Sequence, residues 1–163
     1  MAEREFTVEE VLILLAQTPE RIAALTAGLT EDQLHTATGP GEWPANDVLA
    51  HLRACADVWG KYIAAMLAED RPTIRAISPR TWVKKTNYPE LQFGKSLRSF
   101  TSQRADLLAL LEPLPHEAWS RGATVIRPGK TLERTVFSYA QALVVHEQPH
   151  IEQIECIGQT LHK

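Results

Sequence analysis

His146 and His150 stand four residues apart, a spacing that on a helix puts both imidazoles on one face, a turn apart. At about 100° per residue they fall inside the apolar stripe of Leu143, Ile154 and Ile157, so they should point into the fold. His51, on a separate predicted helix, lies at the flank of that helix's stripe, about 60° from its centre. Two imidazoles from one helix and one from another can converge on a divalent ion. Three neutral nitrogens leave one coordination position open, as in a catalytic site and unlike a closed structural one. The plainer alternative is a surface pair, or core histidines satisfied by hydrogen bonds. Against it, three inward imidazoles would be costly to bury without a shared purpose.

The same segment spells His146-Glu147-Gln148-Pro149-His150, the H-E-x-x-H string of zinc peptidases, in which the glutamate is a general base. The context does not suit a peptidase. Thirteen residues follow His150, which leaves no room for the usual downstream ligand segment, and no strand is predicted to align a peptide. Glu147 has two readings: a general base beside the metal, or the partner of Arg104 in a buried ion pair, since an unpaired carboxylate there would be expensive. Asp47, one turn before His51, either orients an imidazole or is an ordinary first-turn acid favoured by the helix dipole. Cys55 lies one turn after His51 and could be a fourth ligand or a nucleophile; like Cys156 it reads more simply as small core filler. Trp43, Trp82 and Trp119 sit in or beside loops, where they either line a pocket mouth or anchor the loops. His35, His116 and His162 read as exposed.

Four long helical segments must position these residues. The first opens at Thr7, which forms a capping-box spacing with Glu10, while Phe6 and Val11 stand as a hydrophobic staple. Val8, Val11, Leu12, Leu15, Ile22, Leu25 and Leu29 follow at helical spacing, and Pro19 predicts a kink or a restart capped by Thr18. Thr30 and Gln33 suggest a short turn before the breaker Thr38-Gly39-Pro40-Gly41. The second long helix starts near Pro44 and carries Val48, Leu52, Cys55, Trp59, Tyr62 and Met66 along a bundle seam. A long link, Asp70 to Tyr88, then lets the chain cross the bundle, with a helical turn expected at Pro79. The third begins near Pro89 and aligns Phe93, Leu97, Phe100, Leu107, Leu111 and Leu114, with Arg104 in mid-stripe, until Pro113 and Pro115 end it. After an irregular stretch with the turn Pro128-Gly129, the fourth runs from about Thr131 with Leu132, Val136, Tyr139, Leu143, Ile154, Ile157 and Leu161. No repeat and no period-two run long enough for a sheet is found. The fold class is therefore all-α, a four-helix bundle with a long connection between helices 2 and 3, spanning 1–163 as one domain.

Composition bounds the rest. With 163 residues, 44% hydrophobic and 23% charged, the chain can fill one core and is too short for two ordinary domains. A net charge of −3 and a pI near 6.1 argue against a phosphate-reading face, so no nucleic-acid partner is expected. The longest apolar run, Val11 to Ala16, is far too short to span a bilayer, and the charged start Met1-Ala2-Glu3-Arg4-Glu5 does not look like a signal peptide. Two cysteines make no disulfide framework and suit a reducing cytoplasm.

Together these segments resemble the DinB-like metal-binding superfamily. Trp43 with Asp47-Val48-Leu49-Ala50-His51-Leu52 resembles the opening of its second helix, and Leu97, Phe100 and Arg104 resemble its third. Gly129-Lys130-Thr131-Leu132, then His146-Glu147 and His150-Ile151 with Gln153-Ile154, resemble its fourth. The resemblance covers almost the whole chain, in order and at the right separations. It implies a metal site of His51, His146 and His150 holding zinc, nickel or a similar divalent ion, often in a homodimer. It also implies a small-molecule substrate, with thiol-dependent transfer or isomerisation (the cosubstrate a low-molecular-weight thiol such as mycothiol or bacillithiol) or metal-dependent hydrolysis. A non-catalytic metal- or ligand-binding bundle of the stress response is the alternative. Two positions depart from the pattern. Pro44 stands where the family often has a capping serine or threonine. Pro149, between the paired histidines, removes the helical bond to the Val145 carbonyl and should bend the helix at the site.

Overall fold

The computed structural model describes residues 5–162; the charged start from Met1 to Arg4 lies outside them. Helices α1 (Val8–Thr26), α3 (Ala45–Ala68), α5 (Phe93–Leu111) and α6 (Val136–Leu161) form the bundle, with the short α2 (Glu31–Leu34) and α4 (Pro79–Val83) in the connections. Helices α1 and α3 each pack against both α5 and α6. Thus α1 stands diagonally opposite α3, and α5 opposite α6. The long connection lets the chain leave α3 and return as α5 on its flank.

The start signals of the sequence are realised in detail. Thr7 with Glu10 and Thr30 with Gln33 form complete capping boxes, and Pro79 opens α4. Pro44 occupies the cap position of α3 and offers no side-chain bond; its carbonyl accepts from the Asp47 and Val48 amides instead. The third long helix opens at Phe93, four residues after Pro89, because Tyr88–Glu90 forms a separate 3₁₀ turn. Glu31 of α2 accepts from the Phe93 amide at 2.9 Å and supplies the cap that Gln92 does not.

The sequence expectations for the strands need correction. The expected all-α class gives way to a bundle with a small three-stranded sheet, in the order β1 (Thr73–Arg75), β2 (Gly122–Arg127), β3 (Lys130–Thr135). The segment from Thr131 that was expected to begin the last helix is β3, and α6 starts only after its cap, Thr135. Its partner β2 is reached through the turn Pro128-Gly129, where Gly129 takes φ 71°. Gly122 is required for close approach, since a Cβ there would stand 2.9 Å from the Arg134 carbonyl oxygen. Strand β1 pairs in parallel with β2 and is drawn from the long connection. Arg121, just before β2, donates to the carbonyls of Met66 and Glu69 and so satisfies the end of α3.

Pro19 does not restart α1, which continues through it to Thr26. Thr18 is no cap; its hydroxyl donates to the Leu14 carbonyl at 3.2 Å and to Glu147 at 2.9 Å. A proline at position 19 leaves the Leu15 carbonyl without its helical donor. The Arg104 guanidinium takes that place at 2.9 Å. Pro149 likewise lies within an uninterrupted α6, where the carbonyl it frees belongs to Val145, 55% exposed and open to water.

The core has two parts. One gathers Leu15, Ile63, Met66, Leu111 and Leu143 beneath the sheet, with Ala123 and Val125 facing inward; the other gathers Ile22, Leu49, Leu52, Phe100 and Ile154. Trp119 is buried in the first, which settles its role as an anchor. Cys156 is exposed on α6, contrary to its reading as core filler. The wheel explains it: two residues past Ile154 is about 200° round the helix. Among the described residues, no helix is long and apolar enough to cross a membrane.

Candidate metal centre

The helix arithmetic places His51 on α3 and His146 and His150 on α6, two helices that pack directly on each other. The structure brings all three rings together. Their centroids lie 5.0 Å apart for His51 and His146, 4.9 Å for His51 and His150, and 4.8 Å for His146 and His150. The Nε2 atoms of His51 and His146 are 2.9 Å apart. Two protonated imidazoles could not share that distance, so at least one ring presents a lone pair to the other.

Cys55 completes the group in a way its reading as filler undersold. One turn along α3, its Sγ is 3.7 Å from His51 Nε2. Ligand atoms of His51, Cys55 and His146 all lie within 4.8 Å of one another, a grouping able to hold a metal ion. His150 is not in that grouping of ligand atoms; it stands beside the cluster by its ring, and its Nδ1 is 2.9 Å from the Gln153 Oε1. That contact fixes the ring's orientation and leaves Nε2 as the nitrogen available to a ligand. The sequence did hold this signal, since Gln153 lies one turn beyond His150.

The electrostatics suit neutral donors. Burial, and then the neighbouring His150, His146 and Arg80, push the His51 imidazolium down from 6.5 to about 4. His146 is also lowered, first by burial and then by His150, with Glu147 opposing. Burial, reinforced by the Glu147 charge, pushes the Cys55 thiol up to about 12. A buried and a half-buried neutral imidazole, with a protonated thiol, are therefore the resting donors at neutral pH. This donor set fits a divalent ion of borderline softness.

Of the two readings of Glu147, the geometry shows the ion pair. Its carboxylate is fully buried, with Arg104 donating to Oε1 at 3.0 Å and to Oε2 at 2.5 Å. Thr18 adds a third donor. Three donors thus converge on the Glu147 carboxylate, two on Oε1 and one on Oε2. Asp47 makes no hydrogen bond to an imidazole among the described residues and stands in the first turn of α3. There burial raises its carboxyl against the pull of His35. His35, His116 and His162 are exposed, as expected.

Aromatic side chains frame the cluster. Trp43 lies parallel to His150 at 6.4 Å and edge-on to His51 at 5.6 Å, and it remains 37% exposed, as a residue at a pocket mouth would be. Trp59 meets His146 edge-on at 5.4 Å. Trp82 instead anchors the long connection, its Nε1 donating to Asp57 at 2.9 Å.

A "Putative metal-dependent hydrolase" from Geobacillus thermodenitrificans is 26% identical over 120 residues, a match that takes in 70% of this chain and 64% of that protein. The chain thus spans under two thirds of that relative's length. Among solved structures, YfiT from Bacillus subtilis, described as a probable metal-dependent hydrolase with an unusual four-helix bundle topology, superposes with a TM-score of 0.82. The match covers 99% of this chain and 94% of YfiT at 20% identity, and so speaks for the fold. The DinB superfamily model matches residues 14–154, a span that contains all three clustered histidines and Cys55, and the chain belongs to that superfamily.

Proposed function

We propose that this chain is a metal-dependent enzyme acting on a small molecule, with His51, His146 and His150 as ligands of a divalent ion. The reading is carried by one observation: three imidazoles from two helices meet within 5.0 Å, ring to ring, in a pocket whose burial favours the neutral forms of His51 and His146. Bound there, zinc or nickel would supply Lewis acidity and a nucleophile active at neutral pH, from water or from a low-molecular-weight thiol. The protein's part is to hold His51 and His146 neutral, to orient His150 through Gln153, and to set the rings of Trp43 and Trp59 against the imidazoles. Hydrolysis is the reaction favoured by the names of its relatives. Thiol transfer uses the same open position. We place the protein in the cytoplasm because its two cysteines suit a reducing compartment, and as a homodimer on the resemblance of its sequence.

Cys55 favours a second reading. If its sulfur completes the coordination sphere, the ion is a closed staple between α3 and α6 and the protein is not an enzyme. Metal analysis of protein purified without a histidine tag, followed by cobalt substitution, separates the two. An open nitrogen site shows about one ion per chain and no sulfur-to-cobalt charge-transfer band, together with turnover of an ester or thiol-acceptor panel that ceases in His150→Ala. Absence of bound metal, or a sulfur band without turnover, overturns the enzyme reading.

A further inference from the structure

The sheet that the sequence did not predict carries a second site. In the β2–β3 register, Ala123 pairs with Arg134, Val125 with Leu132 and Arg127 with Lys130, so these six side chains share one face. Ala123 and Val125 are buried, so this is the face turned to the helices. Arg127 and Arg134 therefore flank a cavity of about 370 Å³ between the sheet, the start of α4 and the faces of α3 and α6. Trp59, Tyr62, Leu132 and Tyr139 supply its apolar walls, and no acidic residue lines it. Neither arginine has an ion-pair partner among the described residues. Both act electrostatically on the Tyr139 hydroxyl, which places their charges at the cavity.

Arg127 and Arg134 are both exposed, and together they set two guanidinium groups without ion-pair partners beside an apolar hollow, an arrangement that suits an anionic head on an apolar body. The hollow also lies beside the histidines. Trp59, in its wall, is the residue whose ring edge meets His146 at 5.4 Å. Ala142, also in the wall, lies one helical turn before His146, about 6 Å along the axis.

We infer that this cavity binds the oxyanion head of a small substrate or cosubstrate, with Arg127 and Arg134 as the clamp and an apolar or aromatic body reaching past Trp59 toward the histidine cluster. The direction of reach rests on the metal-site reading above; the anion site itself does not. Carboxylate and phosphate heads share this chemistry, because a guanidinium meets either with two donors.

Calorimetric titration of the full chain, with and without chelator, tests it with three probes: 3-phenylpropionate, phenyl phosphate and the neutral 3-phenylpropionamide. At least one anion should bind, and the tighter of the two identifies the head group. The amide should bind at least about tenfold more weakly. Arg127→Ala and Arg134→Ala should each weaken the anion about tenfold, while Arg98→Ala on α5 should change nothing. Equal binding of anion and amide, no anion binding, or loss equal to that of Arg98→Ala overturns the proposal. Anion binding in chelated protein that holds no metal under any loading would retain the clamp while sinking the catalytic reading.

Discussion

Arg104 donates to the Leu15 carbonyl at 2.9 Å, the acceptor that Pro19 deprives of its helical partner four residues on. A proline inside a helix would ordinarily leave a buried orphan. Here the orphan helps to aim an arginine. Held by Leu15, Arg104 spans the diagonal from α5 to Glu147 on α6, the neighbour of His146. One ion pair at 2% and 1% side-chain exposure thus ties α1, α5 and α6 together at the level of the metal cluster.

Replacing Arg104 by Met should destabilise the protein by about 3–5 kcal/mol, because Glu147 would be left buried and unpaired. Replacing both residues, as Arg104→Met with Glu147→Leu, should cost much less than the sum. Pro19→Ala restores an amide donor to Leu15, so it should be worth about 1 kcal/mol more in the Arg104→Met background than in the parent. Urea unfolding of the parent, the three single variants and the two double variants measures each difference. Simple additivity would show that the three groups do not act as one network.

Ligand roles separate by metal affinity. His51→Ala, His146→Ala and His150→Ala should each lower affinity by more than about 100-fold, beyond the range for a supporting residue. Gln153→Ala should fall within that supporting range, about 10–100-fold, because it releases the His150 ring without removing a donor. Cys55→Ala should leave affinity nearly unchanged if the nitrogens alone hold the ion. Competition with a chromogenic chelator measures all five, and a large loss in Cys55→Ala would move the sulfur into the ligand set.

Much of this centre was legible because helix arithmetic is rigid. A separation of four residues put His146 and His150 on one face, and the apolar stripe turned that face inward. Capping boxes at Thr7 and Thr30 were readable for the same reason: they depend on residues three apart. Long-range partners were less legible. The wheel placed Cys55 beside His51, yet nothing in it reported how near the sulfur stands to His146. Strand β3 was hidden because Leu132 is the apolar residue on its inner face, while Lys130 and Arg134 occupy the other inward positions and blur the period-two signal. Those same basic residues are why the strand makes a rim instead of a core.

Proton competition should show in the chelated protein. His51 titrates at about 4 in the fold against 6.5 for a model imidazole, so between these values the unfolded chain binds more protons. Stability is therefore fully present above 6.5 and declines as pH falls from 6.5 toward 4. His146, also lowered, adds to the same sign. Unfolding free energies of chelated parent and His51→Asn, measured from pH 7.5 to 4.5, should diverge, with the variant less sensitive across that window. Parallel profiles would show that His51 is not held neutral by its surroundings.

Asp57 is the post to which the long connection is tied. Its carboxylate accepts from Trp82 Nε1 at 2.9 Å and Tyr88 Oη at 2.6 Å, both in that connection, and from Gln103 Nε2 at 2.5 Å on α5. Arg53 packs its guanidinium 3.6 Å over the Tyr88 ring and adds a second hold. Ser78 and Pro79 of the same connection wall the arginine cavity, so its position bears on ligand binding as well as on stability. Asp57→Asn turns one acceptor oxygen into a donor facing donors, and because the site is half-buried the loss should be about 1–2 kcal/mol. The local effect should exceed the global one. Amide exchange across residues 73–92 should quicken while the amides of α6 keep their protection, as expected when a strap loosens from an intact bundle. Uniform loss of protection throughout the chain would instead make Asp57 part of the cooperative core.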